Sequence, residues 1–292
     1  MAQSPPVMLG LEMPDIAAWS NRVTVALGQN PGAFTGPGTN TYLVGSGRER
    51  ILLDTGDGRP EYLPVLARAL EQAGDVSIQE IVLTHGHPDH IGGAASVMEQ
   101  HGELRVSKQP CAGFDEPYSF AMRALADEDV VRTEGATLRA VHTPGHAEDH
   151  LCFVLEEEGA LFSGDNILGV GTTVIPGRGG NLRQYMDSLD RLLGEKPTRI
   201  YPAHGPCIED GVAKIREYIA HRLERERQIL EAVRDGLALI ADMVKRVYAA
   251  YPEALYPAAG SSVSAHLLKL EEEGRVRRND VDDPLAAHWT LA

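Results

Sequence analysis

The chain has 292 residues, of which 43% are hydrophobic, and a formal net charge of -15. This length can bury a sizeable core and favours one large domain followed by a small one. Residues 1–210 hold 15 Lys and Arg against 29 Asp and Glu, so nearly all of the excess negative charge lies in this part. An acidic surface repels polyanions at long range, which disfavours nucleic acid as a partner unless a local basic groove is present.

Targeting and redox features favour an intracellular protein. Residues 1–21 lack the basic start and unbroken apolar stretch of a signal peptide, and no later run reaches membrane-spanning length. Cys111, Cys152 and Cys207 are an odd number of cysteines and never form a C-x-x-C pair, which predicts free thiols in a reducing compartment. We therefore expect a soluble, cytoplasmic protein with no membrane partner.

Predicted strands and helices alternate over residues 22–201. Short β-branched or alternating runs predict strands at residues 22–27, 39–45, 51–53, 79–83, 138–143, 151–156, 160–163 and 198–201. Amphipathic spacing predicts helices at residues 60–73, 91–100 and 182–193. Four of the strands run into a turn that carries His or Asp. Strand ends in layered α/β structures gather at one edge, so the functional groups are expected to meet there.

The densest group of ligand-type side chains is the loop T-H-G-H-P-D-H at residues 84–90. It places His85, His87, Asp89 and His90 within six residues, directly after an apolar strand. Neutral imidazole and ionised carboxylate suit a borderline divalent metal. A lone histidine is more often a surface or hydrogen-bonded core residue, but three beside an aspartate favour a metal site. His85 and His87 can reach one ion, while Asp89 and His90 can face a second.

Three more ligand-type residues follow at the ends of later strands. They are His146 in T-P-G-H, Asp165 in S-G-D and His204 in P-A-H-G. Together with the loop, their order resembles the metallo-β-lactamase superfamily over about residues 22–208. The resemblance implies an α/β fold of four αββα layers, with two metal ions at one edge between the sheets. The ions in this superfamily are usually zinc, although manganese or iron would also suit the ligands.

The resemblance also implies a role for each residue of the site. His85, His87 and His146 would bind the first ion, Asp89, His90 and His204 the second, and Asp165 would bridge the two. Two divalent ions lower the pKa of a shared water toward about 7, giving a metal-bound hydroxide at neutral pH. Asp89 would orient this hydroxide or shuttle its proton, which makes it the predicted catalytic residue. His150 lies where it could orient a ligand, but a structural role at the start of a strand is favoured.

Longer stretches resemble one subfamily, that of β-lactamase-like protein 2, whose animal member is an endoribonuclease acting on single-stranded RNA. They are N-P-G at 30–32, G-T-N-T-Y-L-V at 38–44, T-E-G-A-T-L-R at 133–139 and F-S-G-D-N-I-L-G at 162–169. An endoribonuclease-like phosphodiesterase is therefore the first hypothesis for the function. Hydrolysis of a small-molecule ester or amide, such as a β-lactam, lactone or thioester, in the same site is the alternative. A mononuclear iron dioxygenase and a DNA-binding regulator are the weaker hypotheses.

The predicted catalytic domain covers residues 1–210, and residues 211–292 are predicted to form a small C-terminal domain. Helices are expected at 212–234, at 238–250 and from Ser261 or Ser262 to 273, followed by strands at 275–277 and 288–290. Three helices and a hairpin resemble a winged helix. Such modules often bind nucleic acid, but this one is nearly neutral and its third helix ends in three glutamates. A role in shaping the substrate cleft or in a homodimer contact is favoured.

Overall fold

The chain folds into two β-sheets that face each other, with helices on the outer face of each sheet. A computed structural model describes residues 8, 10–176, 179–279 and 281–292. In this part of the chain, no helix is both long and apolar enough to cross a membrane.

The first sheet has seven strands that lie side by side in chain order: β1 Ile16–Ala18, β2 Val23–Leu27, β3 Asn40–Val44, β4 Glu49–Leu53, β5 Ser77–Val82, β6 Arg105–Lys108 and β7 Met122–Ala124. Strands β1 to β4 pair antiparallel, and β4 to β7 pair parallel. The second sheet has five strands, β8 Val130–Thr133, β9 Ala136–His142, β10 Leu151–Leu155, β11 Ala160–Gly164 and β12 Ile200–Pro202. Its pairs are antiparallel except for the parallel pair β11 and β12.

The helices follow the predicted pattern with local differences. They are α1 Tyr62–Gln72, α2 Pro88–Ile91, α3 Ala94–His101, α4 Ala112–Asp115, α5 Leu182–Glu195, α6 Gly211–Arg234, α7 Ile240–Val247 and α8 Tyr256–Glu272. A 3-10 turn at Glu253–Leu255 precedes α8, and a two-stranded sheet of β13 Val276–Arg278 and β14 Trp289–Leu291 completes the chain.

Apolar clusters between the layers define the core. One cluster lies between the sheets and includes Leu53 of the first sheet and Phe153 of the second, both buried. Another packs α1 and α3 on the outer face of the first sheet. A third packs α5 and the beginning of α6 on the outer face of the second sheet. The order helix, sheet, sheet, helix confirms the predicted αββα architecture, which removes both faces of each sheet from water.

Two helix predictions were wrong or incomplete, and four strands were not predicted. The helix expected at 91–100 is divided into α2 and α3 at Gly92 and Gly93, because the Gly93 backbone N–H bonds the Gly56 carbonyl at 3.0 Å instead of a carbonyl of the helix. Glycine at position 93 also leaves room for the backbone of Thr55, which lies where a Cβ would be. Helix α8 begins at Tyr256 rather than at Ser261 or Ser262, with a proline in its first turn that favours a helix start. Strands β1, β6, β7 and β8 were not predicted, because each has only three or four residues and, unlike the equally short β12, none runs into a turn that carries one of the recognised ligand-type residues.

Helix α6 contributes to two hydrophobic cores. Asp210 caps its first turn by accepting a hydrogen bond from the Ala213 backbone N–H at 2.9 Å. Ile215 near the beginning of α6 packs with α5 against the second sheet. Val233 near its end packs with Trp289 in the core of the C-terminal region. The proposed boundary between residues 210 and 211 therefore coincides with the start of a helix that both cores share.

Candidate metal centre

The loop at residues 84–90 leaves the end of β5 at the edge between the two sheets. Thr84 donates its backbone N–H to Asp54 Oδ1 at 2.8 Å, which fixes the start of the loop. His87 is the residue before α2, and Pro88 occupies the first turn of this helix. Proline suits this position because its fixed φ favours a helix start and no backbone N–H is lost. The helix then carries Asp89 and His90 in its first turn.

The first group of ligand-type atoms consists of three converging imidazole nitrogens. His85 Nε2 lies 2.9 Å from His87 Nδ1, and His146 Nε2 lies 3.1 Å from the same His87 atom. Burial lowers the pKa of His87 to about 4, and burial also lowers the pKa of His85 well below its usual value. Neutral imidazoles with converging nitrogens repel one another unless a proton or a cation lies between them. These three residues therefore present the ligand form that a divalent metal requires.

The second group combines two imidazoles with two carboxylates. His204 Nε2 lies 3.4 Å from Asp89 Oδ2 and 3.1 Å from Asp165 Oδ1. His90 Nε2 lies 3.6 and 3.5 Å from the same two oxygens. Burial would lower the pKa of His204, but the negative charge of Asp165 and the close contacts with the Asp165 and Asp89 carboxylates raise this pKa to about 9. The two carboxylates thus attract positive charge to this group.

Asp165 lies between the two groups. Its Oδ2 is 3.4 Å from His146 Nε2 of the first group, while its Oδ1 is 3.1 Å from His204 Nε2 of the second. The turn that carries Asp165 contains Gly164, which has φ +50°, and a Cβ there would lie 2.6 Å from His150 Nε2. Glycine at this position therefore allows the carboxylate to reach both groups.

Two buried atoms test whether the site suits metal ions. His90 Nε2 and Asp165 Oδ1 are both buried and lack a hydrogen-bond partner among the described residues. Unpaired buried polar atoms are costly, and a divalent cation would satisfy both atoms. In the described part of the chain, the ligand-type atoms of His85, His87, His146 and Asp165 lie within 4.8 Å of one another. The same holds for those of Asp89, His90, Asp165 and His204.

All seven residues singled out in the sequence thus meet at one edge of the sandwich, in the two groups that the resemblance implied. His101, His142, His221, His266 and His288 lie outside both groups. His150 contacts a residue of the site directly. Its buried Nε2 accepts a hydrogen bond from the Asp165 backbone N–H at 3.1 Å. This contact places His150 against the turn that carries Asp165.

Asp54 is a functional candidate that the sequence analysis did not identify. Its Oδ2 lies 2.9 Å from His90 Nδ1, and its side chain is 2% exposed. The available signal was the D-T-G turn directly after a predicted strand, which is the same arrangement that marked the other site residues. Aspartate is common in turns because its side chain bonds the nearby backbone, so this signal alone does not mark a site residue.

A second missed feature is a group of residues beside His87. The ring of Phe114 in α4 meets the His87 ring edge-on, with 5.2 Å between ring centroids. Behind this contact, the buried ammonium of Lys108 lies 2.5 Å from Asp149 Oδ2 and 2.7 Å from Asp115 Oδ1. The ion pairs join the end of β6 to the loop before β10 and hold α4 against the first group. Phe114 thereby gives the site an apolar wall.

Comparisons with known proteins match both parts of the chain. A family model described as Metallo-beta-lactamase superfamily matches residues 34–204, and one described as Beta-lactamase associated winged helix domain matches residues 240–289. The chain is 43% identical over 281 residues to a Beta-lactamase-like protein 2 homolog from Drosophila melanogaster, covering 91% of this chain and 93% of that protein.

Two further comparisons extend the similarity. An Atrochrysone carboxyl ACP thioesterase from Aspergillus chevalieri is 41% identical over 253 residues, covering 82% of this chain and 78% of that protein. The crystal structure of a metallo-beta-lactamase family protein from Thermus thermophilus has a TM-score of 0.77 and 25% identity, covering 94% of this chain and all of that chain. This chain therefore belongs to the metallo-β-lactamase superfamily, as a metal-dependent hydrolase with a C-terminal β-lactamase-associated winged helix.

Proposed function

We propose that the chain is a dinuclear hydrolase of thioesters or related activated acyl compounds. The observation that carries the dinuclear site is the position of Asp165, whose two oxygens face two separate groups of ligand-type atoms. His85, His87 and His146 would hold one ion, while Asp89, His90 and His204 would hold the other. Zinc suits imidazole and carboxylate ligands best, and manganese or iron also fits them.

The metal pair would supply a water of lowered pKa and a Lewis acid for the attacked group. The protein's own residues then determine how a substrate is handled. The side chain of Asp89 is 27% exposed, against 12% for Asp165, so its carboxylate is the more accessible to an entering molecule. Asp89 Oδ2 would orient the attacking water and accept its proton. Asp165 lies deeper and holds the two groups together.

Three observations support an acyl substrate. The relative from Aspergillus chevalieri is named as a thioesterase and is 41% identical to this chain. Residues 1–210 carry most of the negative charge, which disfavours a polyanionic substrate. The Phe114 ring beside His87 offers apolar contact to an acyl group rather than a phosphate contact. Lactones and β-lactams belong to the same class of acyl compounds and would be tested alongside thioesters.

Single-stranded RNA is the second candidate substrate. It is favoured by the subfamily motifs and by 43% identity to the β-lactamase-like protein 2 homolog over nearly its whole length. The charges of the winged helix weaken this candidate. Arg275 lies 2.7 Å from Glu226 Oε1, and Arg278 lies 3.4 Å from Glu271 Oε2, so two of its basic residues are engaged in ion pairs. The same ion pairs weaken the hypothesis of a DNA-binding regulator.

One set of measurements separates these functions. Elemental analysis of protein purified without added metal should give two ions per chain. Rates on an acyl thioester, a lactone, a β-lactam and single-stranded RNA should be highest on the thioester and should be lost after chelation. Asp165→Asn should lower turnover by at least about 100-fold without loss of folded protein, since this residue would contact both ions. The exposed Asp187 of α5 provides the control substitution Asp187→Asn.

Different results would replace the proposal. RNA cleavage that is lost on chelation and in Asp165→Asn, without thioester turnover, would establish the second candidate. One iron per chain with oxygen consumption would make the chain a dioxygenase. Full activity of Asp165→Asn would remove the dinuclear assignment altogether.

Two further assignments belong with this proposal. The three cysteines have no disulfide partner, which suits the reducing environment of the cytoplasm. The C-terminal domain would act by shaping the site or by forming a homodimer contact. Sedimentation analysis of the full chain tests the dimer, since a monomer at all concentrations would exclude that role.

A further inference from the structure

Helix α6 holds the loop that follows Asp165 at two points. Tyr218 and Arg222 lie four residues apart and therefore face the same side of the helix. The Tyr218 hydroxyl donates to the Gly171 carbonyl at 2.9 Å and accepts the Leu168 backbone N–H at 2.8 Å. Arg222 Nη2 donates to the Thr173 carbonyl at 2.6 Å. Because both side chains are buried, these bonds form away from water and fix the path of the loop.

The same loop also contacts His146, a residue of the first group of ligand-type atoms. His146 Nδ1 lies 2.8 Å from the Val174 carbonyl and 3.2 Å from Thr173 Oγ1. A carbonyl only accepts hydrogen bonds, so Nδ1 must carry the proton. In a neutral imidazole the other nitrogen then has a free lone pair. His146 Nε2 is that nitrogen, and it faces His87 Nδ1 at 3.1 Å. The Val174 carbonyl therefore selects the tautomer that can bind a metal ion.

A contribution to stability does not by itself explain why position 222 is an arginine. It is 3% exposed, and its Nε is buried without a hydrogen-bond partner among the described residues. Its guanidinium lies 5.2 Å from the centre of the Tyr185 ring, and none of the ion pairs found among the described residues includes Arg222. A buried cation without a carboxylate partner usually costs stability, and an apolar side chain of similar volume would pack as well. A role in holding the Thr173 carbonyl explains why a guanidinium lies here.

We propose that Arg222, assisted by Tyr218, is a positioning residue for His146 and couples the C-terminal domain to the metal centre. The first half of α6 holds the loop, and its second half, with Ile229 and Val233, packs in the core of the C-terminal domain. A displacement of that domain would therefore reach, through one continuous helix, the Thr173 carbonyl, which directly precedes the residue whose carbonyl orients His146. The inference rests on the proposed metal site for its functional meaning.

The variants Arg222→Met and Arg222→Lys test this role, with Arg225→Met as the matched control. Arg225 is on the same helix and is 7% exposed, but it donates to the Val247 carbonyl at 2.9 Å and stacks on Tyr248, both in the C-terminal region. Chelator competition measures the affinity of each ion. Arg222→Met should weaken one of the two ions by roughly 10- to 100-fold, the usual range for a lost partner of a metal ligand. Arg222→Lys should restore part of this loss, and Arg225→Met should bind both ions as the unmodified chain does.

A second readout does not depend on metal. In metal-free, ¹⁵N-labelled protein, the hydrogen-bonded ring N–H of His146 should give a slowly exchanging proton signal, identified by its absence in His146→Gln. This signal should be lost in Arg222→Met and kept in Arg225→Met. If Arg222→Met does not fold, the same comparison is made with Arg222→Lys, which should show faster exchange than the unmodified chain.

Native metal affinity and a native His146 signal in the Arg222 variants would overturn the proposal. An equal loss in Arg225→Met would also overturn it, because general destabilisation would then explain the effect. If the unmodified chain binds no metal, the proposed function fails. The His146 signal would still show whether Arg222 positions the ring.

Discussion

Asp54 orients His90 through a fully buried contact, in which Asp54 Oδ2 lies 2.9 Å from His90 Nδ1. The other oxygen, Oδ1, accepts a hydrogen bond from the backbone N–H of Thr84 at the start of the loop at residues 84–90. Asp54 has φ +59°, a left-handed conformation that aspartate and asparagine adopt more readily than most residues. The contact directs His90 Nε2 toward Asp89 and Asp165. The Asp54 carboxylate thus fixes both the start of the loop at residues 84–90 and the orientation of the His90 ring.

Asp54→Asn should weaken the binding of the second ion. Asparagine keeps the left-handed backbone but removes the negative charge that favours a proton on His90 Nδ1. A loss of roughly 10- to 100-fold in affinity for one ion is expected, as for other partners of metal-binding histidines. Chelator competition measures it. Asp75→Asn is the control, since Asp75 is exposed and also has a positive φ of 53°; equal losses in both variants would contradict the role of Asp54.

Asp89→Asn should separate proton transfer from metal binding. If Asp89 accepts the proton of the attacking water, kcat should fall by about 10²- to 10⁴-fold even when both ions are bound. Turnover is measured at saturating metal, with the metal content of the same sample determined in parallel. Recovery of full turnover on adding metal would show that Asp89 acts only as a ligand.

His150→Leu should destabilise the metal-free protein. The substitution leaves the Asp165 backbone N–H buried without its partner, His150 Nε2. Such an unpaired group costs about 1–3 kcal/mol in the free energy of unfolding, measured by chemical denaturation. His150→Gln retains an acceptor and should recover part of the loss. The more accessible His142 provides the control substitution His142→Leu. An equal decrease in the free energy of unfolding in both variants would contradict the role of the His150 hydrogen bond.

His266 should make stability depend on pH in the acid range. Burial, with the charges of Arg222 and Lys269 nearby, holds the pKa of His266 well below its usual value of about 6.5. As the pH falls below about 6.5, the unfolded chain binds a proton at this residue that the folded chain does not. Stability therefore decreases, by up to about 1.4 kcal/mol per pH unit from this residue.

His266→Leu tests this dependence, because it removes the titrating group and two buried ring nitrogens without partners among the described residues. Urea denaturation between pH 7 and pH 5 should give a smaller decrease in the free energy of unfolding than in the unmodified chain. His288, which is exposed in the same domain, provides the control substitution His288→Leu. The same pH slope in His266→Leu and the unmodified chain would contradict the prediction.

Much of the fold and the candidate site could be predicted from local sequence patterns. The loop at residues 84–90 carries four ligand-type residues in one short segment, and His146, Asp165 and His204 each follow a recognisable strand. Such signals depend on spacing within a few residues, so they need no tertiary information. Short elements such as β6 and β7 gave no signal of this kind, although β6 delivers Lys108 to the ion pairs beside the site.

The sequence by itself therefore identified the residues that meet at the sheet edge, and its resemblances to a known superfamily and to a winged helix implied the αββα architecture and the C-terminal domain. Only the tertiary structure showed which distant residues contact this edge of the sheets. Asp54 lies 36 residues from His90, and Arg222 lies 49 residues from Thr173. Asp54 and Arg222 are buried, so their contacts form away from water. Which residues are buried depends on how the layers pack. The sequence does not distinguish an aspartate or arginine that faces water from one that is buried against a histidine or a loop of the candidate site.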